Sequence, residues 1–225
     1  MTESPRLALQ AVVFDCDGVL VDSEPITNGV LAEMLSELGL DFDLERTLRT
    51  FMGKSVKDEI ASIERMIGRP LVSDWHPQFV RRRDEALATR VTAVPGVRPV
   101  VERLLELGIP YAVASGADCA KMRLTLGTSG LLPFFADRMF GADMVPRAKP
   151  APDVYLLATK TMGVDPSRTI VIEDTPTGTR AGVAAGAVVY GLATISTPAQ
   201  LEAAGAARVF GSMSELPALL AIGAG

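Results

Sequence analysis

From residue 94 onward, short apolar runs of strand-forming residues alternate with segments of helical periodicity. Strands are predicted at 111–114, 139–140, 169–172 and 188–190 and around Val209, and an earlier one at 11–14. Helices are predicted between them, at 99–107, 119–126, 152–162 and 178–185 and around Pro198 and Leu216. Strands that alternate with helices form a parallel sheet covered on both faces. The pattern therefore predicts an α/β protein with a Rossmann-like, three-layer α/β/α core.

The segment from residue 22 to about 90 has a different character. It is rich in charged residues, and Val30, Leu31, Met34, Leu35 and Leu38 form an apolar stripe with helical spacing. Glycines interrupt the segment and no strand is predicted in it. We therefore expect an all-helical cap domain, residues 23–94, inserted into a core domain formed by residues 1–22 and 95–225.

Composition excludes several classes of protein. The net charge is −5 and no basic face is evident, which argues against a nucleic-acid partner. The most apolar stretch, residues 182–195, is too short to cross a bilayer, and the first residues do not resemble a signal peptide. The two cysteines lack the spacing of a zinc site or a disulfide framework. We expect a cytoplasmic protein without a membrane partner, either a monomer or a weak dimer.

Polar residues follow the carboxyl ends of the predicted strands, where open parallel sheets bind their ligands. In chain order these residues are Asp15, Asp17, Ser115, Gly116, Lys149, Glu173 and Asp174. Taken singly, each has an ordinary explanation, such as a helix cap, a turn or a solvated surface lysine. Four separate clusters at one edge of a sheet instead indicate a common site.

These residue types together favour phosphate chemistry. Neighbouring carboxylates repel one another unless a cation neutralises them, and oxygen ligands with room for water suit Mg²⁺. Ser115, the following backbone N–H groups and Lys149 can bind phosphate oxygens. One aspartate can attack phosphorus, while the other protonates the leaving oxygen and later activates water. The sequence predicts a magnesium-dependent phosphatase with an aspartyl-phosphate intermediate.

The same residues resemble the four motifs of the haloacid dehalogenase-like superfamily. The first motif is Phe14-Asp15-Cys16-Asp17-Gly18-Val19-Leu20-Val21-Asp22-Ser23, and the second is Ala114-Ser115-Gly116. The third is Lys149-Pro150-Ala151-Pro152-Asp153, and the fourth is Ile172-Glu173-Asp174-Thr175. The branch resembled carries a helical cap after the first strand and includes β-phosphoglucomutase and sugar-phosphate phosphatases. The resemblance covers nearly the whole chain.

The resemblance implies a role for each residue. Asp15 would be the nucleophile and Asp17 the acid/base. The Asp15 side chain, the Asp17 backbone carbonyl and Asp174 would hold magnesium, with Glu173 a ligand or a hydrogen-bond acceptor behind them. Ser115, Gly116 and Lys149 would bind the transferring phosphoryl group. The resemblance also implies a cis peptide bond between Lys149 and Pro150.

The cap is expected to select the substrate, a small phosphorylated metabolite such as a sugar phosphate or a phosphosugar acid. The segment Phe51-Met52-Gly53-Lys54-Ser55 occupies the place of the family's specificity loop, so Lys54 and Ser55 are candidate substrate contacts. Arg83, from the run Arg81-Arg82-Arg83, is a third candidate. The basic character of these residues suggests an acidic or doubly charged substrate.

Three alternatives compete with a phosphatase. A β-phosphoglucomutase-type mutase would carry a histidine at the position of Thr27 and a cap arginine at that of Val56, and both differ here. A receiver domain shares the acidic residues but is about half this length and has no helical insert. A catalytically silent binding module is disfavoured because every motif residue is present.

Overall fold

The computed structural model describes residues 10–51 and 56–223, which form a six-stranded parallel sheet with helices on both faces and an additional group of helices beside it. The order of the strands is β3-β2-β1-β4-β5-β6. The strands are β1 (Ala11–Phe14), β2 (Tyr111–Ala114), β3 (Met139–Phe140), β4 (Thr169–Glu173), β5 (Val188–Leu192) and β6 (Arg208–Phe210). The predicted Rossmann-like core is thereby confirmed.

The central strand β1 is buried on both faces, as its unbroken apolar run requires. Because side chains alternate along a strand, Val12 and Phe14 enter one hydrophobic cluster and Val13 enters the cluster on the opposite face. Val12 lies beside Tyr111 of β2 and Ile170 of β4 in the parallel register. The first strand is thus fixed in the middle of the sheet.

Helices follow each strand, close to the predicted positions. The helices of the core are α5 (Val97–Glu106), α6 (Cys119–Thr128), α7 (Leu132–Phe135), α8 (Asp153–Met162), α9 (Pro176–Ala184), α10 (Pro198–Ala203) and α11 (Leu216–Leu219). The ends differ from the predictions by a few residues, α7 was not predicted, and β4 runs one residue further, to Glu173. The extension places this carboxylate on the strand itself rather than in the following turn.

The segment from residue 22 to about 90 is helical, as predicted, with four helices and no strand among its described residues. They are α1 (Glu24–Glu37), α2 (Leu44–Phe51), α3 (Val56–Ile67) and α4 (Trp75–Arg90). Their apolar side chains form a third cluster, separate from the two that cover the sheet. We refer to these four helices as the cap.

Helix α4 contributes to two hydrophobic clusters. Trp75 and Phe79, in its first half, stack in the cap cluster, with ring centroids 6.1 Å apart. Leu87, near its end, and Val91, just after it, belong to the core cluster. The two chain segments that join cap and core also contact each other, since Asp22 N–H donates to the Thr92 carbonyl.

No helix among the described residues is long and apolar enough to cross a membrane.

Candidate active site

The predicted polar residues meet at the carboxyl ends of β1, β2 and β4. The sheet order reverses at β1, which lies between β2 and β4, and such a reversal opens a crevice beyond the strand ends. Asp15 directly follows β1, Ser115 follows β2, and Glu173 ends β4. The side chains of all three are buried. Sheet topology therefore brings together residues that are more than 150 positions apart in the chain.

Lys149 connects these strands. Its Nζ donates to Asp15 Oδ1 at 2.7 Å, to Glu173 Oε1 at 2.8 Å and to the Ala114 carbonyl at 3.1 Å. Burial alone disfavours the ammonium, but the carboxylates of Asp15 and Glu173 outweigh it and raise the pKa of Lys149 well above its usual value. The Lys149–Pro150 peptide is cis, which confirms that prediction.

Glu173 is held by donors at both of its carboxylate oxygens. Oε1 accepts from Lys149 and, at 2.7 Å, from the buried hydroxyl of Tyr155. Oε2 accepts from the backbone N–H groups of Asp174 and Thr175 and from the Thr175 hydroxyl. Burial raises the pKa of Glu173, yet Lys149 and the other donors more than compensate and lower it. Glu173 therefore stays ionised and fixes the loop that follows β4.

Asp174 has the opposite character. It is 1% exposed, and its Oδ1 has no hydrogen-bond partner among the described residues. Burial, together with the carboxylates of Glu173 and Asp15, raises the pKa of Asp174 well above its usual value. A buried carboxylate oxygen without a donor is unfavourable unless a cation or another ligand contacts it.

Oxygen atoms of Asp15, Glu173 and Asp174 lie within 4.8 Å of one another, close enough to surround one cation. Gly18 permits this close approach, because it has a φ of 79° and a side chain there would collide with the Asp174 carboxylate. Burial is also the main reason why the pKa of Asp15 rises to about 7, although Lys149 opposes the effect. This donor set suits a hard divalent cation such as Mg²⁺.

Asp17 lies apart from this cluster and has its own partners. Its Oδ1 accepts a hydrogen bond from Ser23, and its Oδ2 accepts from Lys121 Nζ at 2.9 Å. Burial opposes ionisation, but the Lys121 ammonium and the Ser23 hydroxyl prevail and lower the pKa of Asp17. Cys16, between the two aspartates, belongs to the core cluster.

The second motif offers donors that point out of the sheet. Ser115 is buried, and its Oγ accepts from the Ala117 N–H at 3.1 Å, so the hydroxyl hydrogen remains for another acceptor. Gly116 is exposed, with open space where a side chain would stand. Lys149 donates to the carbonyl of the residue before Ser115, which places the ammonium next to this turn.

The structure describes some of the cap residues that the sequence suggested as substrate contacts, and others lie outside it. Arg83 lies on α4, forms an ion pair with Asp84 and lowers the pKa of Asp17, so its charge reaches the site. Lys54 and Ser55 lie outside the described residues.

The two positions that distinguish the mutase are both described. Thr27, in α1, has a buried hydroxyl without a partner among the described residues, and Val56 is 52% exposed at the start of α3.

Four contacting residues were not predicted from the sequence: Ser23, Lys121, Tyr155 and Thr175. Lys121 lies in the first turn of the helix that follows Ser115, and Tyr155 lies in the helix that follows Lys149. Their positions after two of the motifs were a usable signal. Their contacts could not be predicted from the sequence, because these depend on the direction in which each helix packs.

A cavity of about 290 Å³ adjoins the site between cap and core. Gly18 and Glu24 line it together with Leu48 of α2, Pro95 of the second connecting segment and Ile195 from the loop after β5. Its walls thus come from both parts of the fold and from the chain segments that join them.

Comparison with known proteins gives a family for the chain. Residues 9–186 match the model of haloacid dehalogenase-like hydrolases. Hexitol phosphatase A of Escherichia coli is 33% identical over 177 residues, which cover 77% of this chain and 78% of the relative. The 6-phosphogluconate phosphatase of the same organism is 28% identical over 186 residues, 81% of each chain.

A solved structure agrees with these relatives. A haloacid dehalogenase family hydrolase from Deinococcus radiodurans, solved with bound phosphate and sodium, superposes with a TM-score of 0.82. It is 35% identical, and the match covers 96% of each chain. These findings leave no place for the receiver-domain alternative.

Proposed function

The chain belongs to the haloacid dehalogenase-like hydrolase family, and on that premise we propose that it is a magnesium-dependent phosphatase of small phosphorylated metabolites that acts through Asp15. The observation that carries this proposal is the meeting of Asp15, Lys149, Glu173 and Asp174 in one buried cluster. Within that cluster, one carboxylate oxygen lacks any partner among the described residues.

Asp15 and Asp174 are the residues proposed to hold Mg²⁺ through their side chains, with the Asp17 backbone carbonyl as a third ligand. The unpaired Oδ1 of Asp174 supports this assignment, whereas both oxygens of Glu173 already accept hydrogen bonds. Glu173 is therefore assigned to positioning Lys149 and the loop after β4. The cation, when bound, neutralises charge on the phosphoryl oxygens and on the carboxylates.

In the first step, Asp15 attacks phosphorus and the bond from phosphorus to the ester oxygen breaks. Protonated Asp17 transfers its proton to that leaving oxygen, which departs as an alcohol. Lys149, the Ser115 hydroxyl and the Gly116 N–H stabilise the charge that develops on the phosphoryl oxygens. The product of this step is an aspartyl-phosphate on Asp15.

In the second step, Asp17 removes a proton from water, and the oxygen of that water attacks phosphorus. The bond from phosphorus to the Asp15 carboxylate breaks and inorganic phosphate is released. The hydrogen bonds of Asp17 to Ser23 and Lys121 favour its ionised form, which is the form required of a base at this stage.

The proposed substrates are sugar phosphates and related phosphorylated metabolites. Two relatives similar over about four-fifths of the chain carry names of this kind, a hexitol phosphatase and a 6-phosphogluconate phosphatase. The Arg83 charge near Asp17 supports a substrate that is itself anionic.

The first test is phosphate release from p-nitrophenyl phosphate and from a panel of phosphorylated metabolites. We expect activity with Mg²⁺, loss of activity in EDTA, and a loss of more than about a thousandfold in Asp15→Asn, since the nucleophile is removed. Asp137→Asn, at an exposed aspartate, is the matched control and should keep full activity. Activity that survives in Asp15→Asn would contradict the proposal.

The intermediate has its own test. Brief reaction followed by borohydride reduction should convert Asp15 to homoserine, which mass spectrometry of the peptide can identify. An unmodified peptide, with turnover intact, would show that water attacks the substrate directly.

A sugar-phosphate mutase is the second candidate, and the cap does not favour it. Thr27 supplies a hydroxyl where the mutase resemblance implies a histidine, and Val56 supplies no charge. With β-glucose 1-phosphate we expect glucose and free phosphate. Conversion to glucose 6-phosphate without phosphate release would establish the mutase instead.

A further inference from the structure

Lys121 is a buried cation at the junction of core and cap, and its contact with Asp17 uses only part of its capacity to donate hydrogen bonds. It lies on α6, in the core, and only 13% of its side chain is exposed. Asp17, 104 positions away, is the one hydrogen-bond acceptor that Nζ reaches within the described part of the chain. An ammonium carries three hydrogens, so two of them remain for a ligand.

A second cation faces this junction from the cap, because α4, which carries Arg83, packs against α6, which carries Lys121. Arg83 extends from α4, with 16% of its side chain exposed, and the acceptor it contacts is its sequence neighbour Asp84. The charge of Arg83 acts on the pKa values of both Asp17 and Lys121, so the two cations share one electrostatic environment. The Arg83–Asp84 ion pair is partly open to solvent, so another anion can replace Asp84 as the partner of Arg83 at little cost.

The opposing charges nearby are few. Asp17 is one, and Glu24, whose Oε2 accepts from Asn28 at 2.9 Å, is the other that acts on Lys121. Asp17 also keeps its hydrogen bond to Ser23, so Lys121 can turn away without releasing the aspartate from its position. The two cations therefore keep capacity to bind a ligand at this junction.

The position of Lys121 and Arg83 relative to Asp17 indicates which part of the substrate they would bind. In the proposed mechanism the ester oxygen of the substrate lies within hydrogen-bond distance of Asp17, and Lys121 Nζ lies 2.9 Å from Oδ2 of that carboxylate. Atoms attached to the ester oxygen can therefore come within reach of Lys121 and Arg83.

We propose that Lys121 and Arg83 bind a carboxylate on the leaving group, so that the substrate is the phosphate ester of a hydroxy acid or sugar acid. This inference rests on the proposed phosphatase activity. Arg83 would act on specificity alone, whereas Lys121 would combine this role with its hydrogen bond to Asp17.

A carboxylate fits this place better than a second phosphate. Asp17, Glu24 and Asp84 already oppose the two cations, and a dianionic phosphate would meet about twice the repulsion from them that a carboxylate with a single charge meets. A carboxylate also matches the geometry of a planar guanidinium and needs few donors besides it.

The test uses pairs of substrates that differ only in the acid group. One pair is 3-phosphoglycerate and glycerol 3-phosphate, and the other is 6-phosphogluconate and sorbitol 6-phosphate. In at least one pair the wild-type kcat/KM for the acid should exceed that for the alcohol about tenfold or more, the scale of one charge-assisted hydrogen bond.

The variants are Lys121→Met, Lys121→Arg and Arg83→Met, with Lys160→Met, at an exposed lysine of α8, as the matched control. We expect Lys121→Met and Arg83→Met each to reduce the acid-to-alcohol ratio about tenfold. In Arg83→Met the change should be mainly in KM, whereas Lys121→Met also removes a hydrogen bond from Asp17 and should lower kcat on acid and alcohol alike. Lys121→Arg should retain part of the ratio and Lys160→Met all of it. Arg83→Met gives an independent answer if Lys121→Met does not fold.

Three outcomes would overturn the inference while leaving the phosphatase proposal intact. These are an active wild type without acid preference in either pair, an equal loss on acid and alcohol in both variants, or a preference for bisphosphates over acids. Absence of phosphate release from every substrate would instead refute the proposed function.

Discussion

Asp174 shows at the scale of one residue how a site can be destabilising without its ligand. Its carboxylate is buried beside two others, and Oδ1 has no donor among the described residues. The folded protein therefore raises the pKa of this group. Asp174 therefore destabilises the metal-free protein, and a bound cation would remove this cost.

We predict that Asp174→Asn stabilises the metal-free protein by about 1–3 kcal/mol, the usual magnitude for relieving an unsatisfied buried polar group. Because the folded pKa of Asp174 lies above its unfolded value, this carboxyl group favours folding most at low pH and loses that effect as the pH rises. The gain should thus be larger near pH 8 than near pH 5. Thermal unfolding in EDTA measures it.

The same variant should lose phosphatase activity and the rise in melting temperature that Mg²⁺ produces in the wild type. Asp137→Asn should keep both responses. A variant that is less stable than the wild type in EDTA would mean that Asp174 has a protein donor and that our assignment of the metal ligands is wrong.

At the scale of an element, the start of α9 is fixed by Glu173. Thr175 caps the helix by accepting from the Gly178 N–H, while its hydroxyl donates to the Glu173 carboxylate. Gly178 packs so closely on that carboxylate that a Cβ would overlap it. The helix and the site therefore share one small, rigid contact.

We predict that Gly178→Ala destabilises the protein by about 1–3 kcal/mol and lowers kcat about tenfold or more, since Glu173 cannot move without losing its donors. The matched control is Gly29→Ala in α1, where nothing lies within 4 Å of the added methyl group. That substitution should be neutral or stabilise by about 0.5–1 kcal/mol. Urea unfolding measures the stability of both variants, and phosphate release measures their activity. Full activity in Gly178→Ala would contradict the claim that this contact is rigid.

For the whole molecule, α4 is a helix that contributes to both the cap cluster and the core cluster. We propose that residues 23–94 form a cap domain on a core formed by residues 1–22 and 95–225, and α4 joins them because its two halves enter different clusters. Trp75, the only tryptophan, lies in the cap cluster and reports on it by fluorescence.

We predict that Ile63→Ala, at a fully buried position of the cap cluster, destabilises the cap by about 2–5 kcal/mol. The Trp75 transition should then precede the loss of far-UV circular dichroism in urea. Leu87→Ala, at the core half of α4, should shift both transitions together. Coincident transitions in Ile63→Ala would mean that cap and core form one cooperative unit.

Much of the fold follows from local pattern. The run 11–14 is apolar at every position, which is the signature of a strand buried on both faces, and alternation with helices requires parallel pairing. The residues at the strand ends were predictable for the same reason, because parallel strands direct their carboxyl ends to one edge. Asp15, Ser115, Lys149, Glu173 and Asp174 needed no further information to be brought to that edge.

The tertiary structure decided which atoms meet there. Glu173 and Asp174 are adjacent carboxylates in the sequence, yet one accepts five hydrogen bonds and the other leaves an oxygen bare, because the strand and the following turn point them in different directions. Lys121 reaches Asp17 only because α6 packs beside the segment that follows β1. Local sequence encodes periodicity and strand ends, whereas contacts across a hundred residues depend on how the elements pack.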